Sequence, residues 1–401
     1  SQFLDERHNI IFRGQAGAEG KYKIEKKRRR EGMKKKLLAL GLVGIMTLSM
    51  FGCGGTDAGG DAAAGETQES TDTGSAEESA DASGEESSAE DTAADAGEME
   101  DWEKELAEQY EVSGDEEYVW GYVAQSFTDT FCSRVQKAME DYVAQNFPNV
   151  TLNVGDGKQE VNTHIELAEN FITQGVDCLI VTASDSDGEV VICDMAKEAG
   201  IPFVVVNSDI ACDPIDHWFV GSDHYVSGHL QGEYLVENVD DSETVNVCYL
   251  GGTNGFTHTT LRRQGFYDAL DEAGYNYEVL ADLEGEYLRD RGMEITEDWL
   301  IQFGDKIDVI VAANDEMGMG ALNAIQGAGM SGDILVCGID ANDDAKEAVA
   351  AGTFGCTVFQ NAEGQGKWGA IAAYAASQGK DYATLDIPYE LVTADNLDQY
   401  Q

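Results

Sequence analysis

From Tyr118 onward the chain alternates between short apolar runs and amphipathic stretches. Val119 to Ala124, Val150 to Val154, Cys178 to Thr182, Pro202 to Val206 and Trp218 to Gly221 form one set of runs. Val245 to Leu250, Tyr277 to Ala281, Val309 to Ala312, Ile334 to Ile339 and Cys356 to Phe359 form a second. Runs this apolar predict strands covered on both faces, as in a parallel sheet. Between them the period changes: Val135, Ala138, Met139, Tyr142 and Val143 recur at helical spacing, as do Ile165, Ala168, Phe171 and Ile172. The strand–helix–strand rhythm predicts an α/β, doubly wound architecture. Two sets of about five strands predict two similar lobes rather than one very wide sheet.

In open α/β sheets, ligands sit beyond the carboxyl ends of the strands. Asn207 follows the run ending at Val206, Asn314 and Asp315 follow Val309 to Ala313, Asp340 follows Ile339, and Gln360 follows Phe359. Asp129 and Phe131 come after the first strand, where a helix is expected to start near Phe131, and Arg262 lies on the helix after Gly251 to Gly255. Any one of these could be a helix cap or loop residue, Asp315 and Asp340 in particular. Together, and contributed by both halves, they predict one ligand site. Carboxylates accept hydrogen bonds from neighbouring hydroxyls, amides donate and accept, and a guanidinium supplies a rigid fork of donors. Phe131 and Tyr287 are suited to cover the apolar CH faces of a ring. This inventory fits a neutral polyol, whereas a phosphate or carboxylate would want more Lys and Arg than Arg262. The chain has no Walker A sequence, and Gly251-Gly252-Thr253-Asn254-Gly255 does not match the dinucleotide fingerprint. No cofactor, metal site or catalytic nucleophile–base pair is expected.

The start of the chain predicts where it works. Lys34, Lys35 and Lys36 precede a short apolar core from Leu37 to Leu48, then Met50-Phe51-Gly52-Cys53. A charged start, an apolar run and a small residue define a secretory signal. A Cys directly after that small residue looks like a bacterial lipobox. Residues 33–52 are therefore expected to be a lipoprotein signal peptide, with Cys53 lipidated and the chain anchored to the outer face of the cell membrane. Lys27-Arg28-Arg29-Arg30-Glu31-Gly32 is what a purine-rich ribosome-binding site would encode, so 1–32 is expected to be mistranslated upstream sequence. Gly54 to Asp101 has no Lys or Arg and 16 acidic residues, a composition that cannot offset chain entropy by burial. Residues 53–116 are expected to be an acidic, disordered tether. The formal net charge of −51 is concentrated after Cys53 and repels nucleic acid. The remaining seven cysteines show no CxxC spacing and are expected to be small buried hydrophobes.

Ile201-Pro202-Phe203-Val204-Val205-Val206-Asn207, Phe219-Val220-Gly221-Ser222-Asp223 through Gln231-Gly232, Val311-Ala312-Ala313-Asn314-Asp315-Glu316-Met317-Gly318-Met319-Gly320-Ala321-Leu322, Val336-Cys337-Gly338-Ile339-Asp340 and Ile387-Pro388-Tyr389 resemble the type 1 sugar-binding proteins of ABC transporters. The likeness spans nearly all of 117–401. It runs nearest to galactose/glucose binders, with ribose binders next. It implies the type 1 periplasmic-binding-protein fold, in which two doubly wound parallel-sheet lobes joined by a three-segment hinge close on a sugar. Lobe 1 is expected over 117–224 and 361–388, and lobe 2 over 225–360 and 389–401. The resemblance implies Asp129, Asn207, Arg262, Asn314, Asp340 and Gln360 as hydrogen-bonding residues, with Phe131 stacking and Tyr287 where galactose binders have Trp. Phe256 and His258 fall where the galactose pattern has His and Asp, Gln360 matches ribose rather than galactose binders, and the calcium loop has no counterpart near Val239 to Thr244. The implied partners are a monosaccharide and a separate permease and ATPase, with the binding protein a monomer. A transcriptional regulator would need an N-terminal helix-turn-helix in place of the signal. A ligand-presenting module for a chemoreceptor or sensor kinase is compatible with the sequence.

Overall fold

The structure, a computed structural model, describes residues 101–110, 112 and 114–400. The expectations for 1–32, for the signal peptide 33–52, for Cys53 and for the tether up to residue 100 lie outside the described residues. The chain first builds β1 (Tyr118–Ala124), β2 (Val150–Asp156), β3 (Cys178–Val181), β4 (Phe203–Val206) and β5 (Trp218–Gly221). It then builds β6 (Val245–Gly251), β7 (Tyr277–Glu284), β8 (Val309–Ala312) and β9 (Leu335–Cys337). Three short strands follow: β10 (Thr357–Phe359), β11 (Thr384–Asp386) and β12 (Glu390–Val392). The first sheet has the order β11-β5-β4-β3-β1-β2 and the second β7-β6-β8-β9. Every pairing within both sheets is parallel, and β10 pairs antiparallel with β12.

Helices cover both faces of each sheet, as buried strands require. In chain order they are α1 (Asp101–Gln109), α2 (Thr130–Asn146), α3 (Val161–Gln174), α4 (Val190–Ala199), α5 (His224–Asn238), α6 (Thr257–Glu272), α7 (Arg289–Gln302), α8 (Asp315–Gly327), α9 (Asp343–Ala350) and α10 (Ala362–Ser377). The period-2 geometry of a strand sends alternate side chains to opposite faces. Trp120, Tyr122 and Ala124 of β1 join the core under α2 and α10. Val123 joins the other core, under α3 and α4, with Leu179, Val181, Phe203 and Val205. The second lobe has one large core around Val247, Leu250, Phe266, Ile310, Val311 and Val336.

Three segments pass between the lobes: β5 to α5, β10 to α10, and β11 to β12. Polar residues start the helices at the crossings. Asp223 caps α5 through Tyr225 N at 3.0 Å, and Asn361 caps α10 through Gly364 N at 2.7 Å. Inside lobe 2, Gln231 of α5 donates to the carbonyls of Ala312 and Gly338, both at 3.0 Å, which ties this helix to the strand ends beneath it.

The expectation of a disordered tether running to residue 116 is corrected at its end. Asp101–Gln109 is helical, and Trp102, Leu106, Ala107, Tyr110 and Val112 pack against the first-lobe core. Tyr110 sits edge-on to Trp218 with ring centroids 5.4 Å apart, and Lys367 pairs with Glu103. The acidic composition continues through this segment, but its apolar residues are partly buried against that surface, which removes apolar area from water.

α5 and α6 cross with backbones nearly touching. A Cβ on Gly228 would overlap the Arg262 carbonyl, and one on Gly265 would overlap the Tyr225 carbonyl. Gly228→Val is therefore expected to overpack the crossing by about 1–3 kcal/mol and lower the thermal midpoint by roughly 2–8 °C. A circular-dichroism melt checks this, and an unchanged midpoint would show that the helices separate freely.

Candidate ligand-binding cleft

The carboxyl ends of both sheets face one cavity of ≈ 210 Å³. Asp129, Phe131 and Asn207 reach it from the first lobe; Phe256, His258, Arg262, Tyr287, Asn314 and Asp340 reach it from the second; Gln360 reaches it from the hinge. All ten residues nominated from the sequence thus line a single cleft. The two lobes touch across it: Thr130 Oγ1 donates to Glu316 Oε1 at 3.4 Å, and Ser186 N to the Gly255 carbonyl at 3.4 Å.

Arg262 is the best-connected of these side chains. It is 4% exposed. Its Nη1 donates to the Ala313 carbonyl at 2.6 Å, and its Nη2 to Gln360 Oε1 at 2.8 Å and Tyr389 Oη at 3.2 Å. Gln360 Nε2 passes the chain on to Asn207 Oδ1 at 2.9 Å. Tyr389 Oη lies 2.8 Å from His224 Nδ1, and His224 Nε2 lies 3.0 Å from the Asn207 carbonyl. A carbonyl only accepts, so Nε2 carries the His224 proton and Nδ1 accepts from Tyr389. Burial, with Arg262 nearby, pushes the His224 pKa down to about 3, which keeps this tautomer neutral. Two relays therefore run from Arg262 to Asn207. Between them they use one residue from each of the three crossings: Gln360, Tyr389 and His224.

Asp340 stands 4.0 Å from Arg262. Burial pushes its carboxyl up to about 7, against the pull of Arg262 and with the help of Asp129. Its backbone has φ 120°, and Asn207 and Tyr287 are also left-handed, at 66° and 61°. Such positions carry strain and cluster at functional sites. Asp315, expected to be a possible helix cap, instead lies buried beneath the loop carrying Asp340. It accepts from Thr357 Oγ1 and Asn342 N, both at 2.8 Å.

Some nominated residues also do structural work. Asp129 Oδ1 caps α2 through Cys132 N at 2.7 Å. Asn314 caps α8 through Met317 N at 3.0 Å and donates from Nδ2 to the Tyr287 carbonyl at 3.3 Å. Phe256, His258 and Tyr287 form one aromatic wall. Phe256 stacks on Tyr287 at 6.1 Å with 15° between planes, and His258 lies 5.0 Å and 5.1 Å from them. Tyr287 Oη meets Thr259 Oγ1 at 2.7 Å, which fixes the ring. Burial and the neighbouring His224 and Arg262 hold His258 well below its usual pKa, so it is neutral. Among the described residues, His258 Nδ1 and Arg262 Nε are buried without a partner. Sequence reasoning missed Gln125, Thr128, His224, Arg289 and Glu316, which also line the cleft. Gln125 follows the end of β1 and was open to the same strand-end rule as Asp129. Arg289 is held by Glu316 and Asp344, each at 2.7 Å, so Arg262 is the cation without a full carboxylate clamp on this wall.

A family model described as a periplasmic binding protein domain matches residues 120–381. The chain belongs to the periplasmic binding protein family. A Rhizobium meliloti protein assigned to rhizopine binding is 34% identical over 281 residues, 69% of this chain and 90% of that one. A D-ribose/D-allose-binding protein of Pseudomonas aeruginosa is 30% identical, over 64% of this chain and 82% of that one. Among solved structures, an ABC transporter solute-binding protein from Bacillus halodurans with bound myo-inositol is 32% identical. It superposes with a TM-score of 0.67 over 72% of this chain and 99% of that one. Family membership implies export and service to an ABC transporter with a sugar-type ligand. The nearer likeness to galactose/glucose binders is not what these relatives carry.

The shifted carboxyl gives a pH signature. In the folded protein Asp340 keeps its proton to about pH 7, against an ordinary value of 3.8. The stability it contributes is present in full below about pH 4 and is lost as pH rises through about 7. The ligand-free midpoint is expected to fall between about pH 4 and pH 7 and to level off above that, and Asp340→Asn is expected to flatten that fall. Melting curves of both proteins across this range check it.

Proposed function

We propose that this is a lipid-anchored receptor that captures one small, neutral, ring-shaped polyol, a monosaccharide or an inositol, and delivers it to a separate permease and ATPase. The observation that carries the reading is the cleft's inventory: the amides Asn207, Asn314 and Gln360, the carboxyls Asp129 and Asp340 and the Arg262 guanidinium converge from both lobes between Phe131 and the Phe256–His258–Tyr287 wall. Carboxylates and amides pair with hydroxyls, while aromatic faces cover ring CH groups. Ligand hydroxyls supply partners for His258 Nδ1 and Arg262 Nε, which have none. The site acts by binding, with no chemical step. A ligand that bridges Asp129 and Asn207 to Arg262 and Asp340 stabilises the closed arrangement by its differential affinity for it. The myo-inositol bound in the Bacillus halodurans protein and the ribose and allose named for the Pseudomonas aeruginosa relative support reading the ligand as a small polyol, a class that includes hexoses such as galactose and glucose. A role in presenting the ligand to a chemoreceptor or sensor kinase uses the same closure and coexists with transport.

A thermal-shift series of the purified protein with myo-inositol, ribose, allose, xylose, galactose and glucose tests the class. One polyol is expected to raise the midpoint by several degrees at millimolar concentration if its affinity is micromolar. No shift with any would remove the polyol reading. Asp340→Ala is expected to abolish that shift while the ligand-free protein still melts cooperatively, and an unchanged shift would move the site elsewhere.

Anchoring has its own test. Cys53→Ser is expected to move the protein from the membrane fraction to the culture supernatant in its native host. Retention on the membrane would remove the lipid anchor from the proposal.

A further inference from the structure

The turn between β3 and α4 in lobe 1 meets the turn before α6 in lobe 2. Ser186 N donates to the Gly255 carbonyl at 3.4 Å, and Ala211 N holds the Ser186 carbonyl from behind at 2.9 Å. Gly255 has φ 97°. A Cβ on it would overlap the Asp185 carboxylate of the other lobe. Asp185 does not turn away without loss, because its Oδ1 accepts from Gly188 N at 2.5 Å. Phe256, the next residue, opens the aromatic wall of the cleft. We propose that Asp185, Ser186 and Gly255 form a closing seat that retains the ligand, and that the buried pair His164–Glu189 is the positioning element that sets it.

Each half of the seat is braced within its own lobe. In lobe 1, His164 and Glu189 are wholly buried. Glu189 Oε1 accepts from Ser184 N at 2.8 Å and Asp185 N at 3.2 Å, and Oε2 lies 3.1 Å from His164 Nδ1. A carboxylate only accepts, so Nδ1 carries a proton. His164 Nε2 lies 2.9 Å from Ser184 Oγ and 3.4 Å from the Gln125 carbonyl, and Gln125 lines the cleft. One buried pair thus sets both the turn and a cleft residue. In lobe 2, Asn254 donates from N and Nδ2 to the two carboxylate oxygens of Glu284, each at 2.7 Å. The hydrogen bond across the seat is long and contributes little by itself. Selectivity comes from fit. Bare backbone at Gly255 lets the two turns approach, and a side chain there overlaps the other lobe only when the lobes are together. Such an overlap acts on release of a bound ligand more than on its capture.

The test measures hydrogen exchange by mass spectrometry on the purified full chain without ligand, in the peptide spanning 183–190. Gly255→Ala, a change in lobe 2, is expected to speed exchange of this lobe 1 peptide several-fold. In an Asp185→Ala background the same change is expected to add little, because the obstructing carboxylate is gone while the backbone strain at residue 255 is the same. His164→Asn keeps a donor at the Nδ1 position and is expected to hold the turn near the unmutated rate. His164→Gln leaves Glu189 without that donor and is expected to speed exchange, although Gln is nearer to His in size. Ligand retention is the second readout, and it rests on the polyol reading. With myo-inositol as the probe, or ribose where myo-inositol gives no thermal shift, Gly255→Ala is expected to weaken affinity about tenfold or more, mostly through faster release. If no polyol of the series binds the unmutated protein, that reading falls and the exchange result decides the seat alone. Unchanged exchange of 183–190 in Gly255→Ala, or an equal effect of Gly255→Ala with and without Asp185, would overturn the seat. The reverse order of the two His164 variants would overturn the role of the pair.

Discussion

The architecture turns on one buried guanidinium. Removing a charge from water is costly unless it is paired and hydrogen-bonded, and Arg262 meets that cost with groups drawn from across the hinge. Its three hydrogen bonds end on Ala313, Gln360 and Tyr389, and Asp340 stands within 4.0 Å. Gln360 and Tyr389 belong to crossing segments, and each continues toward Asn207, the second by way of His224 at the third crossing. The relative placement of the lobes is thus written into a continuous chain of donors and acceptors, in which each bond sets the direction of the next. Gly228 and Gly265 belong to the same constraint, because only bare backbone lets α5 lie close enough to α6 to carry both His224 and Arg262 to one point.

Direct polar contact across the mouth of the cleft is sparse by comparison. Thr130 with Glu316 and Ser186 with Gly255 are both 3.4 Å long, and exposed pairs of this kind contribute little. The hinge network joins the lobes through Arg262, Gln360, Tyr389, His224 and Asn207, and in the proposed mechanism the cleft groups set how far the lobes close. An equilibrium balanced in this way is one that a ligand shifts with modest differential affinity, since moving a population from about 1:99 to 99:1 takes roughly 5.5 kcal/mol. A few hydroxyls hydrogen-bonded to charged partners reach that scale.

The sheets were legible because their strands are buried on both faces. Cys178–Val181, Phe203–Val206 and Val309–Ala312 are apolar at every position and wholly buried, so the run itself marks the strand whatever its period. β11 and β12 were not, since Thr384–Asp386 and Glu390–Val392 each bury one side chain in three and look like polar loop. α1 was hidden by its charge: Trp102 and Leu106 stand among acidic residues that continue the preceding composition. Within the cleft, the strand-end rule brought forward residues whose position along the chain announces them. His224 escaped because its role exists only in three dimensions, with its partners 17 and 165 positions away. For Asn314 and Asp129 the capping and lining readings are both true, because a helix N-terminus at the end of a strand is itself the wall of the cleft.

That overlap explains how the cleft holds strained residues. Asn207 and Asp340 take positive φ with the side chains that tolerate it best after glycine. Tyr287 takes it without that help, and its ring fills the space a Cβ on Gly252 would need. Each is pinned from behind. Asp340 N donates to the Val358 carbonyl at 2.8 Å and Asp315 N to the Ile339 carbonyl at 2.7 Å. Tyr287 is held through Thr259 and Asn314. Strain persists only where the surroundings over-determine it, so these groups are set before any ligand arrives. A ligand entering the cleft meets side chains with little rotamer freedom left to lose. In the proposed mechanism, what remains adjustable is the angle between the lobes, and a bound ligand acts on that coordinate.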